Sequence, residues 1–386
     1  RLRRPFWFVL SGACMGLGLY TYPAGRLLPF LMLAFVAYAW LVQRQVWRGL
    51  GRRLILLGVV ALLVFLPLGL TWAREPALLT LRARQVAVTG EGAGSEAAGA
   101  SILRNARDTA LGFSFAGDDD PRSNLPGRPL LDVYLSALFY GGLIVALARW
   151  RWPAAGFLIL WLGIFLAPTI LSEYAPHFRR AVGAAPATAL LAGLGAAWLW
   201  ALVRRLRGGR RWPALLLGAL LAAGYLGSVA LAGYDYFARW AKMPALFYAY
   251  DVGLAEVAGR IAGAPAGARV YLSPRSVDHP TVAFSLWGKG APRRFDGRHG
   301  IVLPPAGAPA TYWIIAYEDW RAPALVERYL PDATLSERID DPQGKLYAVA
   351  YRQPTGGALR ADPPAAGAVR FGDAIELLGW EAVNPS

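Results

Sequence analysis

The chain has 386 residues and a formal net charge of +15 at pH 7, from 40 basic and 25 acidic side chains. All of the excess lies in residues 1–232, which contain 24 arginines and 9 acids, whereas residues 233–386 contain 16 side chains of each sign. A nucleic-acid-binding protein carries its basic surface on a soluble region, and this region is neutral, so that class is excluded. A single cysteine, Cys14, also excludes a disulfide framework.

Seven apolar stretches predict membrane-spanning helices. Each contains close to the ~17–25 apolar residues that cross a ~30 Å hydrocarbon core as a helix. In chain order they are residues 6–22, 27–42, 54–72, 133–148, 153–171, 182–203 and 213–232. The predicted fold is an α-helical polytopic membrane domain of about seven transmembrane helices, residues 1–232, followed by a small extracytoplasmic α/β domain.

The arginines predict the orientation of this domain. Four segments contain 14 arginines and no acid, and they fall at every second boundary between apolar stretches. These segments are Arg1/Arg3/Arg4, Arg44/Arg48/Arg52/Arg53, Arg149/Arg151 and Arg204/Arg205/Arg207/Arg210/Arg211. Because basic residues favour the cytoplasmic side, the other connections are predicted to lie outside. They are the turn with Arg26, the long loop 73–132, the loop with Arg179 and Arg180, and the tail.

The long loop 73–132 divides into two parts. Residues 89–101 are rich in Gly, Ala, Ser and Glu, which predicts a mobile segment. Residues 117–132 contain several glycines and prolines among acids and arginines, which predicts a constrained path and an ordered polar surface.

The tail predicts an α/β domain over residues 233–353. Apolar residues at helical spacing predict a helix over 246–261, and residues 323–329 predict a second, short helix. Segments rich in β-branched and aromatic residues predict strands over 268–273, 311–317 and 345–351. Residues 354–368 form a Pro/Gly/Ala linker, and residues 371–380 then predict the first strand of a further β-domain that is truncated at Ser386.

The predicted outer loops bring together ionisable residues that suit a phosphate at the membrane surface. Arginine binds phosphate through paired hydrogen bonds and is always charged, and carboxylates hold a divalent cation or orient a sugar hydroxyl. The candidate substrate-binding residues are Arg26, Asp118, Arg122, Asn124, Arg128, Glu173, His177, Arg179 and Arg180. Other interpretations remain open: a solvated turn at residues 118–120, a hydrogen-bonding His177, and arginines that only extend to the interface.

Three segments, residues 16–29, 117–132 and 168–186, together resemble bacterial membrane glycosyltransferases of the GT-C type. That group includes protein O-mannosyltransferases and the lipid A aminoarabinose transferase. The resemblance implies inverting transfer of a sugar from a polyprenyl-phosphate donor to a protein or glycolipid acceptor, on the extracytoplasmic face of the bacterial cell membrane. It also implies that Arg26, His177, Arg179 and Arg180 help to hold the donor phosphate.

The resemblance further implies a carboxylate as general base in the first outer loop. That loop would precede Arg1, so the chain is expected to be a fragment that lacks the catalytic Asp and is inactive alone. No catalytic residue or metal ligand is therefore assigned, and a divalent cation is only a possible cofactor.

Two other functions fit a polytopic protein. A transporter or lipid flippase would be expected to carry ionisable residues inside its spans, or repeated halves, and neither is evident here. A non-catalytic anchor for the tail would need only one helix. The concentration of polar residues in the outer loops favours chemistry at the interface.

Overall fold

The computed structural model describes residues 5–42, 51–77, 95–206, 210–265, 267–360, 369–371 and 375–377. The chain divides into two compact units, residues 1–241 and 242–386. The predicted boundary at 232/233 falls inside a helix that ends at Tyr234. Several arginines of the predicted cytoplasmic segments (Arg1, Arg3, Arg4, Arg44, Arg48 and Arg207) lie outside the described residues, as does part of the predicted mobile segment, residues 89–94.

The first unit is helical. Its helices are α1 (Pro5–Gly18), α2 (Leu28–Val42), α3 (Gly51–Arg74), α4 (Ser95–Gly112), α5 (Val133–Ala148), α6 (Pro153–Ile170), α7 (Ala185–Leu206) and α8 (Trp212–Tyr234). Short 3-10 turns, Pro23–Leu27 and Val182–Ala184, precede α2 and α7, and a π-helical turn, Asp235–Arg239, follows α8.

Five of these helical segments are long and apolar enough to cross a membrane, so the chain is a membrane protein with several spanning helices. They are Pro23–Val42, Gly51–Arg74, Pro153–Ile170, Val182–Leu206 and Trp212–Lys242. The first and fourth predicted spans correspond to α1 and α5, which are apolar but only 14 and 16 residues long. The count of seven spans therefore stays a prediction.

Helices α5 and α7 cross with their backbones in close contact. A Cβ atom at Gly142 would lie 1.7 Å from the carbonyl oxygen of Leu191, and one at Gly195 would lie 2.1 Å from that of Leu138. Small residues permit this approach, which maximises van der Waals packing between membrane helices. Phe139, 2% exposed, packs in the same core.

Residues 95–101 of the segment that was predicted to be mobile begin α4, a helix that the sequence analysis did not predict. Ala, Ser and Glu are acceptable helix formers, and tertiary contacts hold the helix in place. The buried side chain of Asn105 donates hydrogen bonds to the carbonyl oxygens of Ile170 (3.1 Å) and Ser172 (2.7 Å), which anchor α4 to the end of α6.

The second unit is an α/β domain built on a five-stranded sheet in the order β2-β1-β3-β5-β4. The strands are β1 (Val270–Ser273), β2 (Arg293–Arg294), β3 (Ala310–Ile314), β4 (Thr334–Asp340) and β5 (Leu346–Gln353). Strands β1, β2 and β3 are parallel, while β5 runs antiparallel to both β3 and β4.

Helices cover both faces of this sheet. The helices are α9 (Ala245–Ala249), α10 (Val252–Ala262), α11 (Pro280–Ser285) and α12 (Ala322–Tyr329). Val257 of α10 and Val282 of α11 pack in one core with Trp313, and Val326 of α12 packs in the other with Tyr312. Strands β1, β3 and β5 therefore contribute side chains to two cores, as in a layered α/β domain.

Four details of the tail differ from the prediction. The helix expected over 246–261 is interrupted at Asp251, whose φ of 53° is left-handed. The strand expected over 311–317 ends at Ile314.

Strands β2 and β4 and helix α11 were not predicted. Strand β4 is an exposed, charged edge strand, which gives a weak sequence signal. Of residues 371–380 the structure describes 371 and 375–377, and these belong to two short antiparallel strands, β6 (Val369–Phe371) and β7 (Ile375–Leu377).

The α5–α7 crossing generates a test of the packing. We expect Gly142→Ala to lower the unfolding temperature in detergent, because the added methyl group must push the two backbones apart, at a cost of about 1–3 kcal/mol. Gly141→Ala is the matched control, since a Cβ there meets nothing within 4 Å. An equal unfolding temperature for the two variants would contradict the close approach.

Candidate functional site

A buried aspartate joins the two loops that carry most of the predicted site residues. Asp118 is completely buried. Its Oδ1 atom accepts the backbone N–H of Asp120 (2.9 Å), and its Oδ2 atom accepts the backbone N–H of Phe178 (2.9 Å). The loop that carries Asp118 is closed by hydrogen bonds between Gly117 and Gly127 (3.0 Å) and between Gly127 and Asp118 (3.1 Å). The constrained path predicted for this segment is thus a folded turn.

Asp120 extends the same connection with charged partners. Its Oδ1 atom accepts the backbone N–H (2.9 Å) and the Nε–H (3.2 Å) of Arg122, and its Oδ2 atom pairs with Arg179. Burial alone would raise the pKa of Asp120, but the hydrogen bonds and charge of Arg122, together with the charge of Arg179, outweigh it and lower the pKa. Asp120 is therefore a carboxylate at neutral pH.

His177 lies buried beside these carboxylates, with 5% of its surface exposed. Its backbone N–H donates to Thr169 Oγ1 (2.8 Å), and its ring stacks on Tyr174 at 4.9 Å. The Nδ1 atom lies 3.9 Å from Asp118 Oδ2, too far for a hydrogen bond, and has no other partner in the described structure. Burial lowers the pKa of His177, the charge of Arg180 lowers it further, and Asp118 only partly offsets both.

The two consecutive arginines are each oriented by one carboxylate. Arg179 pairs with Asp120, and Arg180 Nη2 donates to Glu173 Oε1 at 3.0 Å. Two of their other nitrogen atoms, Arg179 Nε and Arg180 Nη1, are buried and make no hydrogen bond to the described residues. Only 13% of the Arg180 side chain is exposed, so this arginine does not simply extend from a helix end into the interface.

A second ion-pair cluster contains Arg128, which was a predicted site residue, and Asp235 and Arg239, which were not. Asp235, buried just after α8, accepts Arg128 Nε at 2.7 Å and Arg239 Nη1 at 2.8 Å. Trp240 Nε1 donates to the carbonyl oxygen of Pro121 at 2.7 Å. Together these contacts tie the end of α8 to the loop between α4 and α5. An acid directly after a long apolar stretch, with an arginine four residues on, was the signal for Asp235 in the sequence.

The remaining predicted residues have different environments. The Arg26 guanidinium lies over the ring of Trp72, 4.6 Å from its centroid. Asn124 Oδ1 accepts the N–H of Leu125 (2.9 Å) and its amide donates to the carbonyl oxygen of Arg128 (3.4 Å), so it shapes its own loop. Among the described residues, no group of three or more His, Cys, Asp or Glu side chains could hold a metal ion.

Two cavities flank the clusters. One, of about 140 Å³, is mostly apolar and contacts His177, Thr109 and Thr169. The other, of about 510 Å³, is an open groove between the start of α5 and the small residues Gly224 and Gly227 of α8, with Arg128 and Asp132 also lining it. The site can therefore accept an anionic group beside surfaces that accommodate apolar chain.

Comparison with known proteins gives one match among solved structures. No protein-family model matches the chain, and no curated protein matches it. The chain is similar to the crystal structure of ArnT from Cupriavidus metallidurans bound to undecaprenyl phosphate, with a TM-score of 0.49 and 19% sequence identity, over 90% of this chain and 69% of ArnT. ArnT is a GT-C aminoarabinose transferase, the type that the sequence resembles.

The Asp118 contacts predict a local loss of structure in Asp118→Asn. The amide of Asn cannot accept at both positions, so one buried N–H loses its partner, at a cost of about 1–3 kcal/mol. We expect faster hydrogen exchange at the backbone amides of Phe178 and Asp120. Asp119→Asn is the control, because that side chain is exposed. Unchanged protection at Phe178 in Asp118→Asn would contradict the bridge between the loops.

The lowered pKa of His177 predicts a pH dependence of stability. The unfolded chain, with a His pKa near ~6.5, binds more protons than the folded chain as the pH falls. The stability gained from the lowered pKa of His177 is therefore complete above the pKa of the unfolded chain, and it is lost as the pH falls through the pKa of the folded chain. We expect the unfolding temperature of His177→Asn to fall less than that of the unmodified chain between about pH 7.5 and 5.5. His299→Gln, which replaces an exposed histidine, should behave like the unmodified chain; an identical pH profile for His177→Asn would refute the assignment.

Proposed function

We propose that the chain belongs to a membrane glycosyltransferase that takes its sugar from a polyprenyl-phosphate donor at the extracytoplasmic surface of a bacterial cell membrane. One observation carries the proposal. Three nitrogen atoms on a single loop, His177 Nδ1, Arg179 Nε and Arg180 Nη1, are buried without a hydrogen-bond partner among the described residues.

Buried polar groups without a partner are costly, about 1–3 kcal/mol each and more when charged. A phosphate supplies several acceptor oxygens at once, and guanidinium groups match it in geometry and charge. The loop directly follows α6 and precedes α7, two helices that are long and apolar enough to span a membrane with their connecting turns. An anionic head at the end of such helices, with its isoprenoid tail among them, is the arrangement that a lipid phosphate requires.

The carboxylates of the site have an orienting role in this proposal. Asp120 and Glu173 each fix one guanidinium, so that the remaining N–H groups point in a defined direction. When the sugar leaves the donor, negative charge grows on the lipid phosphate that is released. Oriented, partly buried N–H donors stabilise such charge without having to reorganise. The arginines would therefore bind the donor and also assist departure of the lipid phosphate.

The carboxylate base expected upstream of Arg1 and the protein or glycolipid acceptor stay predictions. The polar residues described above are engaged in holding loops together, and none is assigned the role of base. The arginine distribution supports an outer location for these loops and for the tail. The groove between α5 and α8 suits an apolar chain and is compatible with a lipid-linked substrate.

Donor binding provides the test. We expect Arg180→Gln to weaken binding of undecaprenyl phosphate in detergent by about 10–100-fold, the effect of losing one or two charge-assisted hydrogen bonds. Thermophoresis of the labelled protein measures the affinity, and thermal unfolding checks the fold. Arg107→Gln is the matched control, because Arg107 lies on α4 with 75% of its side chain exposed.

Equal affinities for Arg180→Gln and Arg107→Gln would contradict the proposed phosphate site. A vesicle assay separates the transferase from the lipid flippase, the main alternative. The reconstituted chain should not accelerate movement of fluorescent polyprenyl phosphate between leaflets. Acceleration that Arg180→Gln abolishes would favour the flippase.

A further inference from the structure

The second unit contains a polar cavity at the carboxyl end of its parallel strands. The cavity has a volume of about 350 Å³. Each of the three parallel strands leads into its lining. Glu318 follows β3, Arg294 lies in β2, and Arg298 comes shortly after β2. The segment after β1 supplies the other lining residues, Pro274, Arg275, Ser276, Asp278, His279 and Pro280. Residues from all three parallel strands thus converge on one cavity.

The topology of the sheet explains why the cavity forms at this place. Strand β1 lies between β2 and β3 in the sheet. The chain therefore passes from β1 to β2 on one side of β1, and then crosses to β3 on the other side. The connection from β1 to β2 packs α11 on one face, while the segment after β3 leads to α12 on the opposite face. Loops that diverge in this way leave a crevice at the carboxyl edge, where open α/β sheets bind their ligands.

A buried carboxylate holds the loops around the cavity in place. Asp319 is completely buried and pairs with the hydroxyl of Ser273 at the end of β1. It also accepts the backbone N–H groups of Gly297 (2.8 Å) and Ala322 (3.1 Å). The segments that supply the lining side chains are thereby fixed relative to one another, and such a preorganised site loses little entropy when it binds a ligand.

The charges of the cavity occur in balanced pairs. Arg275 Nη2 donates a hydrogen bond to Glu318 Oε1 (2.7 Å), and its Nε atom lies 2.6 Å from Glu318 Oε2 in the same ion pair. Arg298 forms two with Asp296 (2.8 and 2.6 Å), which lower the pKa of that carboxyl to about 2. The third pair, Arg294 and Asp278, approaches only to 3.8 Å. The lining is consequently rich in donors and acceptors of both signs, and Asp296, which does not line the cavity, offsets the charge of Arg298 from outside it.

This balance discriminates between classes of ligand. A phosphate would meet the carboxylates of Glu318 and Asp278, and a cation would meet three guanidinium groups. A neutral polyhydroxylated molecule both donates and accepts at every hydroxyl, so it satisfies both kinds of group. The volume is at the lower end of the ~300–1,000 Å³ range of small-molecule pockets, which corresponds to one or two sugar rings.

We propose that this cavity, lined by Arg294, Asp278 and Glu318, is a binding site for a neutral saccharide. The site lies wholly within the second unit and is separate from the proposed donor site in the first. It does not depend on the transferase proposal. The second unit would thus have a ligand-binding function of its own.

Saturation-transfer NMR on the full chain tests the proposal, in a detergent without a sugar head group. The probes are three neutral disaccharides, mannobiose, chitobiose and maltose, with inorganic phosphate as the anionic comparison. We expect at least one disaccharide to bind. Arg294→Gln and Asp278→Asn should each weaken that binding by about 10-fold, the effect of one charge-assisted hydrogen bond.

Arg293→Gln is the matched control. Arg293 precedes Arg294 in the same exposed edge strand but does not line the cavity, so the variant should bind the sugar normally. Arg180→Gln should also bind normally, because it alters only the first unit. Binding of none of the disaccharides, equal binding by all variants, binding lost in Arg180→Gln, or binding of phosphate in place of sugar would each overturn the proposal.

Discussion

The candidate site in the membrane unit depends on the buried carboxylate of Asp118. Its hydrogen bond to the N–H of Phe178 fixes one loop against the other, and Phe178 lies between His177 and Arg179 in the chain. The hydrogen bond from the His177 N–H to Thr169 Oγ1 and the pairing of Arg179 with Asp120 support the same arrangement. Together these contacts set the relative position of residues about sixty positions apart in the sequence.

The membrane environment explains why a carboxylate in a loop, and not a contact between helices, sets the position of these loops. Within the hydrocarbon region every backbone polar group must be satisfied inside its own helix, so helices contribute few polar contacts to one another. Chains that leave the helix ends expose unsatisfied N–H groups, and buried acids accept them. The second unit uses the same device, where Asp319 accepts two N–H groups and a hydroxyl from three segments. In both units, a buried aspartate organises a polar surface that the regular elements alone would leave loose.

The sequence located the apolar stretches well, because a long run of apolar residues has few alternative structures. Helix α6, for example, ends at Ile170, one residue before the predicted limit. The sequence also predicted which loops carry the candidate site residues, but it could not pair those residues, since partners such as Asp118 and Phe178 are joined only by the tertiary fold. Helix α4 was missed for a related reason: the contacts of Asn105 stabilise it, and composition does not reveal them. The left-handed Asp251 likewise interrupts a helical pattern that continues uniformly in the sequence.

Charge balance links the two proposed sites while separating their ligands. In the membrane unit, Arg122, Arg179 and Arg180 are matched by Asp118, Asp120 and Glu173, so the attraction for an anion cannot come from net charge. It comes from the N–H groups that the pairing leaves buried and unsatisfied. In the proposed function, such a site would hold a lipid phosphate by geometry and still permit its release after transfer. In the tail cavity, guanidinium and carboxylate groups line the same space, which would favour hydroxyl groups over phosphate. The two proposals therefore assign different ligands to the same residue types, because Asp120 and Glu173 orient the arginines in one unit, whereas Asp278 and Glu318 line the cavity together with its arginines in the other.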